Sequence, residues 1–231
     1  MKTAIVTGAS SGIGFEISQK LVHMGYRVYG FGRDFSKVEF DNPNFIREVC
    51  DITNTNKFFR RIDEIKAKGE VFLLVNNGGI GYFGPHEELN PKKIHEMVTT
   101  NLEVPMALSS ILLRQLKKNK GIIINISSVT AKEISTYGCA YSATKAGLTH
   151  FSESLFSEVR KTGVKIITIH PDMTKSNFYR NANFSEDDSS EDFYINCRNV
   201  ADAVEWILNE PTSLVVTELT LKPQKHRIKR K

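Results

Sequence analysis

Cysteine is scarce in this chain of 231 residues: Cys50, Cys139 and Cys197 are the only three, far apart and with no C-x-x-C pair among them. That odd, scattered set excludes a disulfide framework and a structural zinc site, and it predicts free thiols and no bound metal. Long apolar runs are missing too, since stretches such as Val71 to Val75 stop far short of the roughly 18 residues a membrane span needs. The apolar start of the N-terminus is broken by Gly8 and Ser10, so no secretory leader is read there and the cytoplasm is the expected location. With Gly 15 and Pro 7 the chain is neither collagenous nor proline-rich, and 40% hydrophobic with 25% charged residues excludes a disordered one. A charge bias along the chain is also absent. The net charge of +5 resides in Lys225, Arg227, Lys229, Arg230 and Lys231, so the rest is balanced. The basic character therefore describes a short solvated tail, residues 224–231, and not a nucleic-acid-binding face.

What is present is an alternation of short β-branched runs with longer segments of helical periodicity, the pattern of a parallel sheet covered by helices on both faces. Strands are predicted at Thr3–Thr7, Arg27–Phe31, Phe45–Val49, Val71–Asn76, Gly121–Ile126, Lys165–His170 and Thr217–Leu221. Helices are predicted at Gly12–Met24, Asn54–Lys68, Pro91–Leu116 with an interruption near Glu103 to Pro105, Tyr141–Lys161 and Val200–Leu208. The fold class is α/β: one doubly wound domain over residues 1–223, with no linker at which a second could begin. From Ser176 to Arg198 the periodicity fails and Glu186, Asp187, Asp188, Glu191 and Asp192 cluster. This excursion follows the sixth strand at the carboxyl edge of the sheet, and reads equally as a lid or as a solvated acidic loop.

After the first strand comes Thr7-Gly8-Ala9-Ser10-Ser11-Gly12-Ile13-Gly14, which leads into a helix. Glycines and small serines let backbone N–H groups approach a pyrophosphate at a helix N-terminus, so Gly8, Ser10, Ser11, Gly12, Ile13 and Gly14 are assigned to a dinucleotide. At the end of the second strand stand Gly32, Arg33 and Asp34. An NAD site uses an acidic residue there for the ribose hydroxyls, whereas an arginine accommodates a 2′-phosphate. Gly32 leaves the acidic position empty. Arg33, assisted by Ser10 or Ser11, therefore predicts NADP(H) over NAD(H), although a register shift of one residue would put Asp34 near the ribose instead.

Tyr141 and Lys145 are spaced i, i+4 on one predicted helix, which stacks an ammonium near a phenol on the same face. A neighbouring cation favours the phenolate, so Tyr141 is expected to exchange a proton nearer neutrality than a free tyrosine would.

Thr7-Gly-x-x-x-Gly-x-Gly14, Asn76-Asn77-Gly78-Gly79, Asn101, Ser128 thirteen residues before Tyr141, and Tyr141-x-x-x-Lys145 together resemble the short-chain dehydrogenase/reductase family, from residue 3 to about 221. The resemblance implies a single Rossmann-type domain with a seven-stranded parallel sheet. It implies that Tyr141 exchanges the proton of the substrate oxygen, that Ser128 polarises that oxygen, and that Lys145 tunes Tyr141 and binds the nicotinamide ribose. Asn101 would anchor a water chain to Lys145. Asp51 would meet the adenine amino group with Ile52 packed beside the base, and Asn77 and Gly78 belong to the loop over the adenosine ribose. Pro171, Thr174 and Ser176 would face the nicotinamide. The chain departs from the family at Gly78, where alanine is usual, and at Asp172, where glycine often follows Pro171.

The resemblance implies hydride transfer between NADP(H) and a carbonyl or alcohol on a small molecule, and assembly as a homodimer or homotetramer through the helices around 102–118 and 141–161. Tyr82, Phe83, Tyr137, Phe178 and Tyr179 suggest an aromatic substrate wall. A 3-oxoacyl-carrier-protein reductase, using the basic tail on an acidic carrier, is the alternative enzyme. An NADP-sensing regulatory protein is the alternative of another class.

Overall fold

A strand that is apolar at nearly every position belongs between two covering layers, and β5 (Ile122–Ile126) lies there with all 5 residues buried. In the computed structural model, which describes residues 1–231, six further strands join it. They are β1 (Thr3–Thr7), β2 (Arg27–Gly32), β3 (Phe45–Val49), β4 (Val71–Asn76), β6 (Lys165–Pro171) and β10 (Glu218–Leu221), in a parallel sheet of order β3-β2-β1-β4-β5-β6-β10. Successive side chains take opposite faces. Ala4, Val6, Leu73, Val75, Ile124 and Ile167 enter one core with α1 (Gly12–His23) and α6 (Cys197–Asn209). Ile5, Leu74, Ile123 and Ile166 enter the other, with α2 (Thr55–Lys68), α4 (Val104–Asn119) and α5 (Cys139–Val159). The edge strand β3 alternates exposed and covered residues, as a strand with only one neighbour can. This is the single doubly wound α/β domain the alternation predicts. Strand order reverses between β1 and β4, and a crevice opens there at the carboxyl ends of the strands.

Three details differ from the sequence reading. First, the expected interruption near Glu103 to Pro105 is present but lies earlier and does not part the chain: α3 (Pro91–Val98) runs into α4 through one wide π-helical turn, Thr99–Glu103. Pro105 has no N–H for the carbonyl of Asn101, four residues back, and the widened turn accommodates that loss. Second, α5 starts at Cys139, which places Tyr141 inside the first turn.

Third, the acidic excursion and the basic tail are partners. The excursion is closed at its base by β7 (Thr174–Lys175), which pairs in parallel with β9 (Ile195–Asn196). Further out, β8 (Phe184–Glu186) pairs antiparallel with β11 (Ile228–Arg230) from the tail. The expected solvated tail is thus tied down along its backbone, because cations at 225 and 227 find carboxylates across the gap: Lys225 bonds Asp192 at 3.0 Å and Arg227 bonds Asp187 at 3.1 Å.

Candidate active site

The crevice is a cleft of about 240 Å³. Its phosphate-loop bank rests on backbone geometry. Gly8 and Gly12 have φ of +68° and +58°, a region that costs a side-chain-bearing residue energy. A Cβ on Gly14 would meet the Gly8 carbonyl oxygen at 2.3 Å, so α1 can approach β1 this closely only with glycine there. Gly14 lies under the loop and not in the cleft wall, whereas Gly8, Ser10, Ser11, Gly12 and Ile13 line it. Ser11 caps α1 without a side-chain hydrogen bond, and no acid occupies the first turn, so the helix N-terminus keeps its free donors and positive end for an anion.

A brace not read in the sequence joins this loop to the one after β4. Thr7 Oγ1 accepts from the amides of Asn77 at 3.0 Å and Gly78 at 2.8 Å. Asn77 Nδ2 in turn donates to the Thr7 carbonyl at 2.9 Å, so its side chain holds the loop while its backbone lines the cleft. Gly78 has a packing reason, since a Cβ there would lie 2.9 Å from Ile52 Cδ1. Asp51 and Ile52 form the adjoining wall, with Asp51 oriented by accepting from the Thr53 amide at 2.9 Å and its hydroxyl at 2.8 Å.

Arg33 lines the cleft, and Asp34 is committed elsewhere: its carboxylate takes the Ser36 amide at 2.8 Å and the Ser36 hydroxyl at 2.9 Å, bonds that hold it below the usual carboxylate range. No acid fits at position 32 either, because a Cβ there would stand 2.6 Å from Ser10 Cβ.

The other bank is built from side chains of distant segments. Tyr141 is buried between Phe83 and Phe178, with ring centroids 5.4 Å and 5.5 Å away. Ser128 Oγ accepts from the Thr130 amide at 3.2 Å and its hydroxyl at 3.0 Å, which leaves the Ser128 proton to point onward. Behind Ser128, the fully buried His170 sets Nδ1 3.1 Å from its carbonyl oxygen. Thr130 and His170 belong to the site's support and carry no local signal in the sequence. Lys145 is buried one turn below Tyr141, and its Nζ donates to the Ile126 carbonyl at 2.8 Å.

The electrostatics differ from expectation. The Lys145 ammonium lies 5.9 Å from the Tyr141 ring centre; burial pushes the phenol well above its ordinary value, with the Ser128 hydroxyl working the other way. Burial also brings Lys145 down to about 8. Desolvation outweighs the i, i+4 attraction, and the phenol stands at neutral pH as a protonated donor.

Asn101 is fully buried behind the cleft. Its Oδ1 accepts from the Ile80 amide at 2.9 Å, and its Nδ2 donates to the Ile80 carbonyl at 2.9 Å and to Thr144 Oγ1 at 3.1 Å. It braces the β4 loop against α5. Gly79 keeps open the space beside it, where a Cβ would be 3.5 Å from Asn101 Oδ1 and 3.6 Å from Lys145 Nζ. Pro171, Thr174 and Ser176 line the cleft beyond β6. Asp172 turns the chain there without a left-handed φ, accepting from the Met173 amide at 2.8 Å. Of the expected aromatic wall, Phe178 and Tyr179 line the cleft and Phe83 packs on Tyr141, whereas Tyr137 stands in solvent with φ of +63°. No helix of the molecule is long and apolar enough to cross a membrane.

Known proteins resemble this chain in sequence and fold. A family model described as short chain dehydrogenase matches residues 2–187. Serine 3-dehydrogenase of Rhizobium radiobacter is 30% identical over 96% of this chain and 93% of its own. An alcohol dehydrogenase of the archaeon Thermococcus sibiricus, solved with 5-hydroxy-NADP, superposes with a TM-score of 0.86 at 25% identity, covering 98% of this chain and 99% of that one. A 3-ketoacyl-(acyl-carrier-protein) reductase of Brucella melitensis, solved with NADH, shares the fold with a TM-score of 0.86 at 20% identity over 96% of this chain and 97% of its own.

Proposed function

The chain belongs to the short-chain dehydrogenase family and is an oxidoreductase, and from that premise we propose that it interconverts a carbonyl and a secondary alcohol on a small molecule with NADP(H). The observation that carries this reading is the pair of hydroxyls, Tyr141 buried and protonated beside Ser128, whose own oxygen is already occupied as an acceptor by Thr130. Two donors so placed suit an oxygen that gains negative charge as its carbon is reduced. When bound, the dinucleotide supplies the hydride. The phosphate loop would hold its pyrophosphate, Asp51 and Ile52 its adenine end, and Lys145 with Pro171, Thr174 and Ser176 its nicotinamide end. Tyr141 would give the proton to the substrate oxygen, and Asn101 with Lys145 would border the route that restores it.

NADP(H) is favoured over NAD(H) by Arg33 in the cleft wall, by the bonds that keep Asp34 out of it, and by the lack of room for an acid at position 32. The aromatic wall suits a moderately apolar substrate, and Arg180, which lines the cleft without an ion-pair partner, suits one that also carries a carboxylate. The serine 3-dehydrogenase relative makes 3-oxo and 3-hydroxy acids the first compounds to try. Two tail cations that an acidic carrier protein would use are already engaged with Asp187 and Asp192, which favours the small molecule. Half-buried Ile111, Leu113, Phe151 and Phe156 along α4 and α5 suit assembly into a homodimer or homotetramer, which sedimentation would measure.

The test is a panel of ketones, 3-oxo acids and 3-hydroxy acids assayed with NADPH and NADH at equal concentration. NADP(H)-dependent turnover of one class is expected. Binding of NADPH without turnover of any compound would support the sensor instead.

A further inference from the structure

The C-terminal segment makes contacts that no step above uses. β11 forms a two-stranded ladder with β8, in which Ile228, Lys229 and Arg230 face Glu186, Ser185 and Phe184. Beyond it the Lys231 amide donates to the Asn183 carbonyl at 2.8 Å, and Lys231 Nζ donates to the Tyr179 carbonyl at 2.8 Å. Before it the Lys225 amide donates to the Asp192 carbonyl at 2.8 Å, and Lys225 Nζ reaches the carboxylate of the same residue at 3.0 Å. Arg227 Nε pairs with Asp187, whose side chain is only 14% exposed, and its guanidinium lies 5.5 Å from the Phe193 ring centre. The segment so gripped is the substrate wall. Phe184 packs edge-on against Phe83 at 5.2 Å and Tyr179 at a tilt at 6.3 Å, and Phe83 packs at a tilt on Tyr141.

A wall made of short 3-10 turns and a strand of 3 residues has little hydrogen bonding of its own to fix it. We propose that residues 225–231 are a strap that positions the aromatic wall over Tyr141, with Lys225 and Arg227 as its two charged fastenings, so that the C-terminus sets substrate affinity without contacting the phosphate-loop bank of the cleft. The excursion is in this sense a lid, held from outside by the chain's last residues. The part concerning substrate rests on the oxidoreductase reading; the part concerning the strap does not.

The experiment uses the full chain in three forms: the native protein, the double variant Lys225→Glu with Arg227→Glu, and that variant with Asp187→Arg and Asp192→Lys added to swap the charges. Hydrogen exchange of the amides of residues 184–186 reports the strap, and the KM values for carbonyl substrate and for NADPH report its effect. Charge reversal should abolish the protection of those amides and raise KM for the carbonyl compound about two- to tenfold, the range two exposed ion pairs carry, with KM for NADPH unchanged. The swap should restore both. Raising salt to about 1 M, where screening acts within about 3 Å, should move the native protein part of the way toward the reversed one. Unaltered exchange after reversal, or a swap that restores neither measure, would overturn the proposal. Loss of protection in a protein that reduces no carbonyl compound would uphold the strap and refute the enzymatic reading.

Discussion

The two banks of the cleft are made differently. On the phosphate-loop side the form comes from what is missing: no side chain at positions 8, 12 and 14, and none at 32 where Ser10 fills the space. On the side of Tyr141 the form comes from what is added, with aromatic rings from residues 83, 178, 179 and 184 brought together from segments a hundred residues apart. A bank of backbone is determined locally and tolerates little. A bank of packed rings is determined by tertiary contact and can be reshaped, which suits one bank to an invariant phosphate and the other to a particular substrate.

That contrast can be broken by experiment. The largest effect is expected at Tyr141→Phe, which keeps the ring between Phe83 and Phe178 and removes only the hydroxyl; kcat should fall about 100-fold to 10,000-fold while NADPH affinity, measured by fluorescence titration, stays as it was. An active variant would end the proposed chemistry. Arg33→Ala comes next: loss of a charge-assisted contact should reduce the preference for NADPH over NADH about 10-fold to 100-fold in kcat/KM, and an unchanged ratio would remove Arg33 from the cofactor site. Gly14→Ala drives a methyl group into the Gly8 carbonyl, and should cost about 1–3 kcal/mol of stability by urea unfolding together with cofactor affinity, whereas Phe184→Leu on the adaptable bank should leave cofactor affinity untouched.

The smallest effect is one of pH. Burial lowers Lys145 from 10.5 to about 8, so between these values the unfolded chain holds a proton that the folded chain has released, and stability from this group rises with pH across that window. Tyr141, raised by burial, acts in the opposite sense only above its ordinary value of 10.0, where the unfolded chain ionises first. The urea midpoint of the native protein should therefore gain on that of Lys145→Met between about pH 8 and about pH 9.5, and parallel curves would show that burial does not control this ammonium.

How much could be read without a structure follows the same division. Gly8, Gly12, Gly14, Tyr141 and Lys145 are legible because each constraint acts within one turn of chain and leaves a fixed spacing. The five inner strands are legible because apolar runs persist where both faces are covered, and the edge strands β3 and β10 because they keep the alternation of strand and helix. Thr130 and His170 are not: the turn in which Thr130 meets Ser128 leaves no fixed spacing in the sequence, and a histidine ending a strand becomes a support only when β5 and β6 lie side by side. The direction in which burial shifts Tyr141 is not legible for a related reason: spacing reports the distance to a neighbouring charge but not the loss of water around both groups. The tail escaped because a cationic run and an acidic cluster some forty residues apart give no sign of which backbone will pair with which.

The wide turn at Thr99–Glu103 has a consequence for chain length. Such a turn holds about one residue more than the α-helix it interrupts. Excising a single residue there would set Pro105 inside a regular α-helix, where its ring meets the carbonyl four residues back, and would rotate Asn101 by about 100° relative to everything downstream. The shortened protein would strain its helix at Pro105 and lose its grip on Ile80, so the same irregularity is demanded from below by a proline and from above by the loop it fastens.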